Sequence, residues 1–464
     1  MNLEAKKVFD YFEKLSQIPR ESGNEKEVSD FLKKFAEEKG YEVVQDESLN
    51  IIMEVPATKG MEDRPKVILQ GHMDMVCEKG KDSKHNFETD PIELITEGDS
   101  LHANDTTLGA DDGIGVAMSL ALAEEEHGPL KIIVTVSEET DMHGAKDLDA
   151  KYLEGKYLIN IDSEEEGILT VSSAGGKLLK SKFKFQEEDY SGDAFKLNLH
   201  GFLGGHSGME IANNRGNMIK VIAEILNKVD NAKLIDIDCG TKQNAIPREG
   251  KVSLIADEKD LDEAIQFVKE KFKDVAGELT IECEKTSHQG RLLTAESTEK
   301  LAKYLLELPT GPHTFINEEK KVLESSSNLA IAKKINGTIE VYVSLRFASS
   351  SLSEEFGNIY LDIVKNYGAE AEFINPYPEW EYREESEFRE LVERIYKELT
   401  GSSMEEEFTH GGLECGVFFT KNRELDIVSI GPDITGAHSQ KETLSISSTN
   451  RVYEHLKKVL KEIK

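Results

Sequence analysis

The sequence predicts an α/β domain interrupted by an inserted α+β domain, and three observations carry that prediction. Short, apolar, β-branched runs alternate with amphipathic helical stretches towards both ends of the chain. The middle of the chain instead mixes strands and helices without that βαβ rhythm. With 464 residues, the chain also exceeds what one hydrophobic core usually supports. The expected division is residues 1–183 and 386–464 for the first domain and 184–385 for the insert.

Taken in order, residues 24–39 place Val28, Phe31, Leu32 and Phe35 at helical spacing, with Ser22 or Asn24 available as a cap and Gly40 as a stop. A strand pair is expected near Glu42–Gln45 and Asn50–Val55. Lys66–Gln70, Lys131–Val136 and Tyr157–Ile161 read as buried strands of a largely parallel sheet between helices. Gly113–Glu126 reads as a helix burying Val116, Met118, Leu120 and Leu122. The insert offers strands at Phe195–Leu199, Lys251–Ile255 and Thr338–Ser344, and helices at Asn217–Val229 and Leu261–Phe272. The α/β pattern returns with a helix at Glu387–Leu399, a strand at Leu425–Ile430 and a helix at Asn450–Ile463.

Composition narrows the function. The 38% of apolar residues suffices for a sizeable core, and no apolar run approaches a membrane span. Fifty-six basic against 89 acidic residues leave a formal net charge of −33. Such a balance argues against nucleic acid or an anionic membrane as partner, since both reward clustered Lys and Arg. The start, Met1-Asn2-Leu3-Glu4, lacks the apolar core of a signal peptide. Cys77, Cys239, Cys283 and Cys415 are scattered and read as reduced thiols, so a cytoplasmic location is expected.

Each apolar strand of the first domain ends in a residue able to bind a metal. Gln70-Gly71-His72-Met73-Asp74 follows one strand, Ser137-Glu138-Glu139 the next and Asp162-Ser163-Glu164 the third. Gly109-Ala110-Asp111-Asp112-Gly113 opens the helix between them. Carboxyl ends of parallel strands line the crevice where open α/β sheets bind ligands, so His72, Asp111, Glu139 and Asp162 should converge. Singly each signal is weak: Glu138-Glu139 alone is commonly a solvated pair, and Asp111-Asp112-Gly113 can simply cap a helix. Four together at four element ends point to a site. Nitrogen and oxygen donors in that number suit a pair of divalent cations, roughly 3.5–4 Å apart when one carboxylate bridges them. Asp111, in a glycine-flanked turn, is the natural bridge.

At these residues the chain resembles the aminoacylase and carboxypeptidase superfamily of two-zinc metallopeptidases. Within it, the aminoacyl-histidine (Xaa-His, carnosinase-type) dipeptidase branch is the nearest likeness. Leu108–Gly115 and Asn160–Gly167 carry the general resemblance, and Gly204-Gly205-His206-Ser207-Gly208, Asn244-Ala245-Ile246-Pro247 and Gly412-Leu413-Glu414-Cys415-Gly416 narrow it. The resemblance implies a zinc-peptidase domain with a ferredoxin-like lid as the insert, and a dipeptidase acting through a water activated by two zincs, which cobalt or manganese can replace. His72 and Asp162 would bind one metal, Glu139 and His438 the other, and Asp111 both, with a cis peptide to Asp112. His438 lies in Gly436-Ala437-His438-Ser439, a departure from the Pro-His-Ser form expected there. Glu138 would be the general base and Asp74 the carboxylate that orients the His72 ring. His206 would stabilise the oxyanion, and Asn244 and Arg346 would clamp the substrate carboxylate. Glu414 is either a partner for the substrate amine or a buried structural carboxylate. A small peptide is the expected partner, with the chain a monomer or homodimer.

Tripeptidases, N-acyl amino acid deacylases and carboxypeptidases share this ligand set and differ in the insert. A non-catalytic binding protein of the same fold would have lost the base or a ligand, and here all are present. No Gly-x-Ser-x-Gly and no His-Glu-x-x-His occurs, which removes a serine hydrolase elbow and a zinc helix from consideration.

Overall fold

A computed structural model describes residues 5–319 and 322–464. The chain forms two compact units: one of Met1–Ser172, Trp380–Thr409 and Leu413–Lys464, the other of Ser173–Glu379 and His410–Gly412. The second unit begins earlier than residue 184 because Gly175–Phe183 is a strand of its sheet, paired along its whole length with Thr338–Phe347.

The first unit is built on an eight-stranded mixed sheet. Its order is Glu42–Gln45, Ile51–Val55, Leu130–Thr135, Val67–His72, Tyr157–Asn160, Asp426–Ser429, Ile168–Ser173 and Glu405–Thr409. The four central strands run parallel, while the first two and Ile168–Ser173 pair antiparallel. Alternation along the central strands sends side chains to two separate cores. Leu69, Ile132, Val134, Ile159 and Val428 join the core formed with helices Lys6–Ser16, Lys26–Lys39, Ala110–Leu122, Glu387–Thr400 and Ile446–Glu462. Ile68, Ile133, Leu158 and Ile427 face the other way, onto Leu148, Leu153, Trp380 and Phe418. A sheet buried on both faces explains the unbroken apolar runs, each side chain contributing roughly 1.5–3 kcal/mol.

Helix Lys26–Lys39 ends in a left-handed Gly40, but neither Ser22 nor Asn24 caps its start. The Ser22 hydroxyl is engaged elsewhere, donating to Asp74 Oδ2 at 2.7 Å. A small four-stranded sheet (Ile434–Thr435, Thr443–Ser445, Ser100–Ala103, Leu94–Glu97) joins segments more than 300 residues apart.

The second unit is α+β. Eight strands lie in the order Gly277–Leu293, Glu187–Phe202, Gly250–Ile255, Lys233–Cys239, Val322–Ile335, Thr338–Phe347, Gly175–Phe183 and Glu370–Tyr377, with a ninth, Gly311–Asn317, on Val322–Ile335. Every pairing among them is antiparallel. Helices Met218–Lys228, Glu258–Lys271, Ala295–Glu307 and Ser350–Asn366 share its core. Asn217, Asp257, Thr294 and Ser349 each cap one of those helices with a side-chain oxygen. Among the described residues no helix is long and apolar enough to cross a membrane.

Candidate metal centre

Strand ends and one turn assemble the site in the first unit. His72 ends Val67–His72, Glu138 and Glu139 follow Leu130–Thr135, and Asp162 follows Tyr157–Asn160. Asp111 and Asp112 open helix Ala110–Leu122 with non-helical backbone angles and a cis peptide between them. Asp112 faces inward: Oδ2 accepts from His72 N at 3.1 Å and Oδ1 from Gly115 N at 3.1 Å. A Cβ on Gly71 would lie 2.1 Å from Asp112 Oδ2, so the motif needs glycine there.

Asp111 presents one oxygen to each of two imidazoles. Its Oδ1 lies 3.1 Å from His72 Nε2, and its Oδ2 lies 3.0 Å from His438 Nε2. Asp162 Oδ1 is 3.4 Å from His72 Nε2, and Glu139 Oε2 is 2.9 Å from His438 Nε2. Two donor triads result, His72–Asp111–Asp162 and Asp111–Glu139–His438, each with its ligand atoms within 4.8 Å of one another. Glu138 also lies within that reach of His72 and Glu139.

Electrostatics tell the same story. Burial pushes Asp162 up to about 6 against the pull of His72. Burial and the carboxylates of Asp162, Glu414 and Glu139 hold Glu138 well above the usual range, although His72 opposes them. Burial disfavours the charge on Asp111, but its contacts with His438 and His72 win and hold it below the usual range. Contacts with Asp111 and Glu139 push His438 up to about 11. Glu164, at the solvent-facing edge of the cluster, is raised because partial desolvation and the carboxylates of Asp111 and Asp162 disfavour its charge. Glu139 Oε1 is buried with no hydrogen-bond partner among the described residues. Carboxylates in excess of imidazoles, one with an unused oxygen, form a donor set that fits two divalent cations.

Around this set, Asp74 does more than its expected contact with His72. Its Oδ1 lies 3.3 Å from His72 Nδ1, and its two oxygens also accept from the backbone N–H groups of Glu138 and Glu139 at 3.1 and 3.3 Å. Sequence reasoning missed Arg20 and Glu442, which bind the backbone around Asp111 and Asp74. It also missed a row of side chains across the sheet. Ser429 Oγ donates to Asn160 Oδ1 (2.5 Å), Asn160 Nδ2 to Gln70 Oε1 (2.6 Å), and Gln70 Nε2 to Glu414 Oε2 (2.6 Å). Thr135 Oγ1 donates to the same Glu414 oxygen at 2.7 Å. Glu414 is fully buried, its Oε1 lacks a partner among the described residues, and burial pushes it up to about 8. Only the position of Ser429, Asn160, Gln70 and Thr135 on adjacent parallel strands could have signalled that row, and Glu414 reaches it from the start of helix Glu414–Lys421.

The remaining sequence-predicted residues lie in the second unit. His206 sits on Gly205–His206, which pairs with Ala245–Ile246, so that Asn244 adjoins it. Both line a cavity of about 380 Å³. Arg346, near the end of Thr338–Phe347, is buried, and its Nη1 donates to His410 O at 2.9 Å. Its Nε has no partner among the described residues.

Residues 68–462 match the family model described as Peptidase family M20/M25/M40. The chain belongs to that peptidase family. It is 34% identical over 477 aligned positions to the cytosol non-specific dipeptidase of Escherichia coli K12, covering 99% of this chain and 98% of the relative. The aminoacylhistidine dipeptidase of Vibrio alginolyticus superposes with a TM-score of 0.88 at 29% identity, covering 100% of this chain and 98% of that one. Human carnosine dipeptidase 1, at 13% identity and a TM-score of 0.52 over 99% of both chains, shares the fold. This M20/M25/M40 peptidase is therefore a hydrolytic enzyme of α/β fold, and the Escherichia coli and Vibrio relatives, each matched over 98% of its length, both carry the word dipeptidase in their names.

Proposed function

We propose that this peptidase hydrolyses the amide bond of unblocked dipeptides, Xaa-His and β-alanyl-histidine among them, with broad side-chain tolerance. The observation that carries the reading is Asp111 offering one oxygen to His72 and the other to His438, with Glu138 alongside. The relatives named non-specific dipeptidase and aminoacylhistidine dipeptidase support the substrate class, and the first of those names supports a cytosolic location.

His72, Asp111 and Asp162 would hold one cation and Asp111, Glu139 and His438 the other; the donors suit zinc, with cobalt or manganese as substitutes. Bound cations supply Lewis-acid polarisation of the scissile carbonyl and make water acidic enough to attack at neutral pH. Glu138 takes the proton of the attacking water and passes it to the leaving amine. Asp74 fixes the His72 ring by engaging Nδ1, which leaves Nε2 facing Asp111 and Asp162. His206 donates to the developing oxyanion, while Asn244 and the Arg346 fork hold the substrate carboxylate.

The test is one panel of free dipeptides, tripeptides, N-acetylated amino acids and longer peptides on metal-defined protein. Cleavage of dipeptides that disappears with a chelator and returns with zinc, cobalt or manganese is expected. Full-rate dipeptide cleavage by chelated protein defeats the metal chemistry; preference for tripeptides or acylated amino acids defeats the substrate class.

A further inference from the structure

The turn that carries Asp111 is gripped from two sides by buried charged residues on different segments. Glu442, 2% exposed, accepts four successive backbone N–H groups: Oε2 from Leu108 (2.7 Å) and Gly109 (2.9 Å), Oε1 from Ala110 (2.7 Å) and Asp111 (3.2 Å). These include the unpaired donors that open helix Ala110–Leu122, whose own N-cap residue, Gly109, offers no side chain. Glu442 closes the loop of His438: its N–H donates to Ser439 O at 3.0 Å, and Ser439 Oγ donates to Gly436 O at 2.7 Å. Arg20, also 2% exposed, grips the turn through Nη2 to Gly109 O (2.5 Å). Its Nη1 donates to Met73 O (3.0 Å) and Asp74 O (3.2 Å), the segment directly after His72. A Cβ on Gly113 would lie 2.6 Å from Arg20 Nη2, so the helix start closes tightly over the guanidinium.

We propose that Glu442 and Arg20 are positioning residues that brace the shared Asp111 turn separately to the two donor triads, Glu442 to the one containing His438 and Arg20 to the one containing His72. The proposal rests on the two-cation reading above. Asp111 serves both triads, so each triad keeps its shape only if the turn is held in register with the segment bearing its imidazole. His438 is half exposed on a loop with a left-handed backbone, whereas His72 and Asp162 are fixed at strand ends. Losing the Glu442 brace therefore opens the His438 triad first. Losing the Arg20 fork instead frees the turn from the His72 segment.

Manganese titration followed by electron paramagnetic resonance tests this, because paired and isolated manganese ions give different spectra. Wild type is expected to bind two ions with a spin-coupled spectrum. Glu442→Gln should weaken one ion about 10–100-fold, the usual cost of losing a partner behind the ligands. At the manganese level that still pairs in wild type, its spectrum becomes that of a single ion. Adding His438→Ala to Glu442→Gln should then remove no further metal, whereas adding it to Arg20→Lys should remove the remaining ion. A coupled spectrum at wild-type manganese affinity in Glu442→Gln overturns the proposal, as does loss of the same ion in both variants. Glu442→Asp keeps the charge and serves as the second variant. Failure of both Glu442 variants to fold, judged by melting of chelated protein, makes Glu442 a core residue and overturns its assignment. A wild type that binds no ion pair defeats the two-cation reading itself, which is a separate result.

Discussion

Replacing Asp74 by Asn changes one atom in a fully buried side chain that serves four partners. Asp74 lies beside His72 Nδ1 at 3.3 Å and accepts from Ser22 Oγ at 2.7 Å, Glu138 N at 3.1 Å and Glu139 N at 3.3 Å. An amide has one acceptor oxygen where the carboxylate has two. If the oxygen stays toward His72, the NH₂ meets the Glu139 N–H and leaves it unpaired, a cost of about 1–3 kcal/mol in stability. If the amide turns over, its NH₂ meets His72 Nδ1 and forces the proton onto Nε2, the atom that should face a cation. Either way metal affinity should fall about 10–100-fold, or roughly 1.4–2.8 kcal/mol. Competition with a chromophoric chelator measures the affinity, and thermal melting of chelated protein measures the stability. Asp74→Asn that binds zinc within twofold of wild type and melts with it would refute the reasoning.

Glu138→Gln should keep its metal content and lose about 10²–10⁴-fold in kcat, which metal analysis beside steady-state kinetics can check. Arg346→Lys replaces a planar fork by a point charge, so KM should rise about tenfold or more for dipeptides while kcat changes less. His455 is buried with Nε2 2.8 Å from Val392 O, and burial lowers it to about 4. A histidine depressed on folding stabilises above its unfolded value near 6.5, and that stability drains as pH falls towards 4, by about 3 kcal/mol in all. Because the raised carboxyls of Asp162 and Glu414 gain stability over the same range, the readout is the difference between wild type and His455→Gln in denaturant unfolding of chelated protein from pH 7 to 4. That difference should show this fall; identical pH slopes in the two proteins count against the assignment.

What the sequence made legible is what short-range pattern can encode. Val67–His72 and Leu130–Thr135 are buried on both faces, so their apolar runs announced strands. His72, Glu139 and Asp162 stand next to those runs, so the ends of the strands announced a cluster. Residues whose role depends on distant backbone were silent. Glu442 binds N–H groups more than 330 residues away, and nothing near it in sequence marks it. Ser22 looks like a helix cap until Asp74 claims its hydroxyl. Arg346 at a strand end resembles a surface cation, yet it is buried because it reaches the His410 carbonyl.

The row from Ser429 through Asn160 and Gln70 to Glu414 is directional: every donor points the same way along it. A row of that kind has a grammar that single substitutions break. Asn160→Asp sets an acceptor against the Gln70 oxygen, and Gln70→Glu does the same against Glu414. A neutral route through sequence space must alter neighbours together or reverse the whole row. These four positions should therefore drift as a linked set, and a designer grafting the sheet elsewhere should move them as one.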